Sequence, residues 1–191
     1  MNRAVFLDRD GVINAAMYNP VEGKLDSPYQ LEDFRLLFGA AQAIRRINSL
    51  GFPAVVVSNQ PGVAKGKCDL AFLETLGQRL RWELAHQGAY LDAIYYCLHH
   101  PQAQVESLRE SCECRKPQPG LLLRAARELD IDPTRSYMVG DLPTDVEAGL
   151  AAGCRTILLS DDDDPPENGH RPHVVATDLA AAVRVIAEGR R

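Results

Sequence analysis

Long apolar runs and an excess of basic residues are both missing from this sequence. No stretch approaches the ~20 apolar residues that a membrane-spanning helix needs, and Asp8 and Asp10 interrupt the apolar stretch at the N-terminus, so it does not match a signal peptide. Lysine and arginine total 21 against 26 acidic residues, a net charge of −5, which argues against a general surface for nucleic acid or anionic lipid. We therefore expect a cytoplasmic protein with no membrane and no nucleic acid as partner.

Disulfide bonds are not expected either. Five cysteines are an odd number in a chain without a secretion signal, which favours free thiols or metal ligands. With 191 residues, 46% of them hydrophobic, the chain is long enough for one well-buried domain and short for two. We expect residues 1–191 to form a single domain and the protein to be a monomer.

Short apolar segments alternate with amphipathic ones along most of the chain. Five or six such alternations predict an α/β protein, with helices on both faces of a parallel sheet. Residues 15–38 show neither the alternation typical of a strand nor the apolar spacing of a helix, and they contain several turn-forming residues. We therefore expect a long flap there. The predicted strands are 4–7, 52–57, 93–96, 137–139 and 156–159, the predicted helices are 39–50, 70–87, 119–129 and 144–152, and 174–188 holds a last strand and helix.

The first strand delivers two carboxylates to its C-terminal end. Asp8 and Asp10 are two residues apart, so they face the same crevice if the extended backbone continues, with Arg9 pointing away. Gly11 then allows the chain to turn out of the sheet. Acidic residues also end strands as ordinary turn formers, so this pair alone does not define a site.

Two further strands end in polar residues at equivalent places. These are Ser58 and Asn59 after the second strand, and Asp141 and Asp145 after the fourth. Taken singly, the first pair fits a turn and Asp145 fits an acid in the first turn of a helix. In a doubly wound sheet, however, such strand ends converge on one crevice, where several carboxylates favour a hard cation, Mg²⁺ first of all.

A basic segment, Arg115-Lys116-Pro117, supplies the cations that an anion would need at this crevice. An ammonium, a divalent cation and a hydroxyl around a carboxylate suit a phosphate group. Hydrolysis of a phosphate monoester needs accelerations of up to ~10²¹, more than one acid can supply. A route through a phosphoaspartate, with metal and lysine spreading the charge, divides the reaction into easier steps.

A second constellation has the ligand types of a structural zinc site. Cys97 and His99 form one pair, and Cys112 and Cys114 the other, which satisfies the ligand count of a tetrahedral site. The loop between them is too polar to pack by itself, so metal binding would be part of its folding energy. We expect zinc there to fix Arg115 and Lys116 beside the phosphate.

The remaining cysteines and the second histidine of this segment are not expected to be ligands. We interpret Cys68 and Cys154 as packing residues and His100 as a surface residue or a neighbour of the ligands.

The combination of motifs resembles the haloacid dehalogenase superfamily of phosphatases. The resemblance implies a Rossmann-like three-layer fold with Asp8 as nucleophile and Asp10 as the acid that protonates the leaving alcohol and later activates water. Ser58 and Lys116 would bind phosphate oxygens, and Mg²⁺ would be held by Asp8, Asp141 and the backbone carbonyl of Asp10, with Asp145 in support. No insertion between the motifs is long enough for a large cap domain. The motifs are Asp8-Arg9-Asp10-Gly11, Ser58-Asn59-Gln60, Arg115-Lys116-Pro117 and Gly140-Asp141-x-x-x-Asp145.

The zinc loop next to Arg115-Lys116-Pro117 resembles the D-glycero-D-manno-heptose 1,7-bisphosphate phosphatases, whose near relatives are the histidinol-phosphate phosphatases. This resemblance implies removal of the 7-phosphate on the route to lipopolysaccharide heptose, with Asn59, Gln60 and Arg115 contacting the substrate. The flap at 15–38 is longer than expected of the family, and Leu142 stands where some members carry a polar or basic residue. The alternatives are a histidinol-phosphate or other small phosphomonoester phosphatase, and a non-catalytic module that binds phosphate or zinc.

Overall fold

The computed structural model describes residues 2–20, 23–161 and 170–189. Its strands are β1 (Val5–Leu7), β2 (Met17–Asn19), β3 (Lys24–Asp26), β4 (Ala54–Asn59), β5 (Ala93–Cys97), β6 (Tyr137–Gly140), β7 (Arg155–Leu159) and β8 (Val174–Ala176). Six of them form one sheet in the order β5-β4-β1-β6-β7-β8, in which every neighbouring pair is parallel. The predicted parallel sheet is confirmed.

Helices cover both faces of this sheet. They are α1 (Ala40–Ser49), α2 (Leu70–His86), α3 (Gly120–Glu128), α4 (Pro143–Ala151) and α5 (Leu179–Glu188). Strand side chains alternate between two cores: Val5 and Leu7 pack with α1, α2 and α5, whereas Ala4 and Phe6 pack with α3 and α4. The three-layer prediction is thus confirmed, and no large cap domain interrupts the described residues between β1 and α4.

Local sequence explains where α2 begins and which face it buries. The Asp69 carboxylate accepts from the N–H of Phe72 at 2.7 Å and so caps the helix. Leucines at helical spacing then form its buried side, Leu73, Leu76, Leu80 and Leu84. No helix within the described ranges is both long and apolar enough to cross a membrane.

Two segments differ from the prediction. The strand predicted to end at Val57 continues as β4, so that Ser58 pairs with Tyr96 and Asn59 with Cys97. The flap is not an irregular loop, because β2 and β3 form an antiparallel hairpin in which Met17 pairs with Asp26, followed by a 3₁₀ turn at Leu31–Asp33. Each of its strands has three residues, too few for an alternating pattern to be recognised in sequence.

Candidate active site

Lys116 lies at the centre of a buried acidic cluster at the C-terminal ends of β1 and β6. Its Nζ is 2.8 Å from Asp8 Oδ1 and 2.5 Å from Asp145 Oδ1, and it donates to the carbonyl of Val57 at 3.0 Å. Burial opposes the charge, but the two carboxylates outweigh it and raise the pKa of Lys116. The ammonium is therefore a fixed cation beside Asp8.

Three carboxylates come together beside this lysine. Asp8, Asp141 and Asp145 each offer an oxygen within 4.8 Å of the others, and Asp141 Oδ1 is buried without a hydrogen-bond partner among the described residues. Burial, together with the charges of Asp8 and Asp145, raises the pKa of Asp141 to about 7. Burial and Asp8 also raise the pKa of Asp145 to about 6, although Lys116 acts in the opposite direction. Negative charge exceeds positive charge here, and the oxygen donors fit a divalent cation such as Mg²⁺.

Two glycines make room for these carboxylates. Gly11 has φ +84° and lies against the Asp141 carboxylate, so a side chain there would be strained and would also collide. Gly140 lies equally close to the side chain of Asp145, whose Oδ2 accepts from the N–H of Leu142 at 3.0 Å. The turns after β1 and β6 therefore bring the acids together only because both positions lack a Cβ.

The carboxylate of Asp10 lies outside this cluster, in a network of its own. Its Oδ2 accepts from Ser27 Oγ and Gln60 Nε2, each at 2.7 Å, and its Oδ1 accepts from Asn14 Nδ2 at 2.8 Å. The fully buried Arg9 guanidinium donates to both oxygens at 3.0 Å. Burial acts to raise the pKa of Asp10, but Arg9 and the three hydrogen bonds outweigh it and hold the pKa below its usual value. The prediction that Arg9 points away is wrong, because a buried guanidinium needs a counter-ion.

Asn59 and Gln60, which we expect to contact substrate, also bond to protein groups. Asn59 Nδ2 donates to the carbonyl of Lys116 and Oδ1 accepts from its N–H, both at 3.0 Å. Gln60 Nε2 donates to Asp10 and, at 3.1 Å, to Ser58 Oγ, while its Oε1 accepts from Arg9. The amides thus position Lys116 and Asp10, and contact of Asn59 and Gln60 with the substrate stays a prediction.

The cysteine and histidine residues form a second cluster at the end of β5. The ligand atoms of Cys97, His99, Cys112 and Cys114 lie within 4.8 Å of one another. The three sulfur–sulfur distances are 3.2 to 3.5 Å, and His99 Nδ1 is 3.3 Å from Cys114 Sγ. Tetrahedral zinc with Zn–S bonds of about 2.3 Å holds its ligand atoms roughly 3.5–3.8 Å apart. The distances in the cluster are a few tenths of an ångström shorter than this, and its ligands fit zinc in type and number.

Electrostatics and neighbours of the cluster suit a metal as well. Burial raises the pKa of Cys97, whereas at Cys112 burial is outweighed by hydrogen bonds from the other two thiols, which lower its pKa to about 7. His99 Nε2 lies 3.1 Å from Glu110 Oε1, a contact that sequence reasoning missed and that orients the imidazole. Cys68 and Cys154 lie outside the cluster, and Cys68 is only half-buried.

The cysteine–histidine cluster and the acidic cluster are connected through the backbone. Asn59, whose side chain bonds to the backbone of Lys116, pairs with Cys97 across β4 and β5. The N–H of Gln60 donates to the carbonyl of Cys97 at 2.7 Å. Arg115 Nη1 donates to the carbonyl of His99 at 3.4 Å. The two clusters are therefore joined through contacts of the β4 and β5 ends.

Comparisons with known proteins agree with this geometry. Residues 113–182 match the HAD-hydrolase-like family model. The D-glycero-beta-D-manno-heptose-1,7-bisphosphate 7-phosphatase of Escherichia coli is 45% identical over 158 residues, which are 82% of this chain and 78% of that protein. The enzyme of the same name from Haemophilus influenzae is 41% identical and covers 83% of this chain and 82% of its own.

Solved structures give the same result. The D,D-heptose 1,7-bisphosphate phosphatase from B. bronchiseptica, complexed with magnesium and phosphate, is 31% identical with a TM-score of 0.77, over 98% of this chain and 99% of that one. The corresponding enzyme from Burkholderia thailandensis is 26% identical with a TM-score of 0.68, over 97% and 99%.

The parallel sheet and the acid–lysine cluster at its C-terminal edge define a hydrolase of the haloacid dehalogenase type. Within that superfamily, the chain belongs to the family of the D-glycero-D-manno-heptose 1,7-bisphosphate 7-phosphatases. The resemblance seen in the sequence motifs is therefore confirmed for the superfamily and for the family within it.

Proposed function

We propose that this chain is a magnesium-dependent phosphatase that removes the 7-phosphate of D-glycero-D-manno-heptose 1,7-bisphosphate, on the route to lipopolysaccharide heptose. The relatives that carry this name support the substrate. The observation that carries the chemistry is the position of Asp8, which is 2.8 Å from Lys116 and within 4.8 Å of Asp141 and Asp145. The monomeric state, the single-domain organisation and the cytoplasmic location stay predictions.

Asp8 acts as the nucleophile in this proposal. Its carboxylate attacks phosphorus and the bond to the sugar oxygen breaks. Asp10, which must be protonated for this step although Arg9 and its hydrogen bonds hold its pKa low in the free site, gives its proton to that oxygen. Asp10 then takes a proton from the water that hydrolyses the phosphoaspartate, which releases phosphate and restores both carboxyl groups. Lys116 and Ser58 bind phosphate oxygens, and Arg115 contacts the substrate. Lys116 can do so without reorganisation, because the protein already fixes its position.

Two metals complete the proposal. Mg²⁺ would be held by Asp8, Asp141 and the Asp10 backbone carbonyl, with Asp145 in support, and would neutralise charge on the phosphoryl group. Zinc would be held by Cys97, His99, Cys112 and Cys114, with a structural role. Two features fit these ions: an Asp141 oxygen that has no hydrogen-bond partner among the described residues, and the close packing of three thiols with one imidazole.

A substrate panel tests the assignment. Both anomers of the heptose bisphosphate, histidinol phosphate and other small phosphomonoesters would be compared for released phosphate in the presence of Mg²⁺. We expect kcat/KM for a heptose bisphosphate to exceed that for histidinol phosphate by at least about 10²-fold. A preference for histidinol phosphate would contradict the substrate.

The covalent route needs a test of its own. The Asp8→Asn variant should release no phosphate from the substrate that the wild type prefers, because an amide cannot form the phosphoaspartate. Turnover by this variant would rule out Asp8 as nucleophile. A wild type that hydrolyses no phosphoester at all would instead favour a non-catalytic phosphate- or zinc-binding module.

A further inference from the structure

Ser27 brings the flap into contact with Asp10. Its Oγ donates to Asp10 Oδ2 at 2.7 Å, and the residue is 8% exposed. The hairpin just before it is far more open, with Tyr18 exposed at 66% and Leu25 at 63%. Ser27 is therefore the point at which an exposed hairpin enters the buried network around Asp10.

Asp26 holds Ser27 in place. One of its oxygens, Oδ2, is 2.6 Å from Lys67 Nζ, and the other accepts from Tyr29 OH at 2.6 Å and from the N–H of Ser27 at 2.9 Å. Lys67 Nζ also lies 5.4 Å from the centre of the Tyr29 ring. Both carboxylate oxygens are engaged, so Asp26 ties the flap to the loop after β4 in a defined orientation.

The loop that carries Lys67 has its own support on the other side. Ala64 in this loop accepts backbone hydrogen bonds from Gln104 and Val105 of the zinc loop, at 2.8 and 3.0 Å. From the flap itself, the ring of Tyr29 packs so closely on Gly62 that any side chain there would collide with it; the bonds to Ala64 are the support that does not involve the flap. The flap is thus attached to a segment that is anchored independently of it.

We propose that Ser27 is a positioning residue for Asp10, and that the ion pair of Asp26 with Lys67 is a latch that keeps it there. This inference rests on the proposed function, in which Asp10 transfers protons. Arg9, Asn14 and Gln60 hold the carboxylate from segments next to the sheet, whereas Ser27 holds it from the flap. The orientation of Asp10 then depends on whether the flap is latched.

Ser27→Ala tests the positioning role. We expect kcat to fall about tenfold, the effect of losing one hydrogen bond to a charged group, while KM for the best substrate changes less than about twofold. Ser27→Thr keeps the hydroxyl and should recover most of the loss. Ser49→Ala, at the exposed end of α1, is the matched control and should turn over like the wild type.

Lys67→Met tests the latch. We expect a smaller fall in kcat and faster hydrogen exchange of the amides of residues 23–30, because the flap opens more often. The double variant Ser27→Ala with Lys67→Met should be no slower than Ser27→Ala alone, since the ion pair acts on Asp10 only through the Ser27 hydroxyl, which Ser27→Ala already removes. Additive losses would overturn the latch.

The outcomes separate this inference from the proposed function. If the wild type is active and Ser27→Ala turns over like Ser49→Ala, the inference alone fails. It also fails if Ser27→Thr is as impaired as Ser27→Ala, or if KM rises as much as kcat falls. If the wild type hydrolyses no phosphoester, the proposed function fails, and hydrogen exchange in Lys67→Met still shows whether the latch exists.

Discussion

The side-chain amide of Asn59 binds the backbone of Lys116 at both ends. Its Nδ2 donates to the Lys116 carbonyl and its Oδ1 accepts from the Lys116 N–H, both at 3.0 Å. This holds the lysine backbone while its ammonium lies 2.8 Å from the proposed nucleophile, Asp8. A strand-end residue and a residue 57 positions later are thereby joined as one unit.

Loss of this amide should impair catalysis. Asn59→Ala removes both hydrogen bonds, and we expect kcat/KM to fall about 10²-fold because Lys116 is no longer held at its working position. Steady-state kinetics with the best phosphorylated substrate measures this. Asn48 makes the same pair of bonds to the backbone of Tyr90, at 3.1 and 3.0 Å, so Asn48→Ala is the control and should retain full turnover. Equal kinetics of the two variants would show that Lys116 needs no such support.

The acidic cluster should make the metal-free protein less stable at high pH. The pKa of Asp141 is raised to about 7, above the unfolded value near 3.9, so its protonated form contributes stability that is complete below about pH 4 and is lost as pH rises through about 7. In EDTA, we expect the wild type to lose about 1–2 kcal/mol more than Asp141→Asn between pH 5.5 and 8. Denaturant unfolding at both pH values measures the free energy of unfolding of each protein. An equal fall in the wild type and in Asp141→Asn would contradict this prediction.

Zinc should be present in the purified protein and depend on the four proposed ligands. We expect one zinc per chain by elemental analysis, strongly reduced in Cys112→Ser, together with a loss of phosphatase activity because the segment leading to Lys116 loses its order. Cys68→Ser is the control, since Cys68 lies outside the cluster. Full zinc content in Cys112→Ser would remove that residue from the ligand set.

Glu110 should strengthen zinc binding without being a ligand. Its carboxylate, 3.1 Å from His99 Nε2, favours the tautomer that leaves Nδ1 free for the metal, so Glu110→Gln should weaken zinc affinity about tenfold. Competition with a chromophoric chelator measures the affinity. Glu106→Gln, in the same loop, is the matched control, and equal affinities of the two variants would mean that Glu110 has no such role.

Local sequence patterns predicted the sheet and the residues that meet at its edge. Asp8 and Asp141 directly follow apolar strands, and the carboxyl ends of parallel strands share one edge, so their proximity follows from topology. The short spacing of Cys97 from His99 and of Cys112 from Cys114 predicted a cluster of metal-ligand types. Ligand type and spacing can be read directly from the sequence. These inferences required no knowledge of side-chain contacts.

Side-chain partners over long separations were decided by the tertiary structure. The sequence identified Asp10 but not Ser27, whose hydroxyl reaches it across a hairpin too short to predict. It did not predict that Arg9 bonds to Asp10 or that Asn59 holds the backbone of Lys116. Buried polar groups bond to whichever partner the packed fold brings within about 3 Å. Sequence order therefore determined which chemistry is present, and packing determined which group holds which.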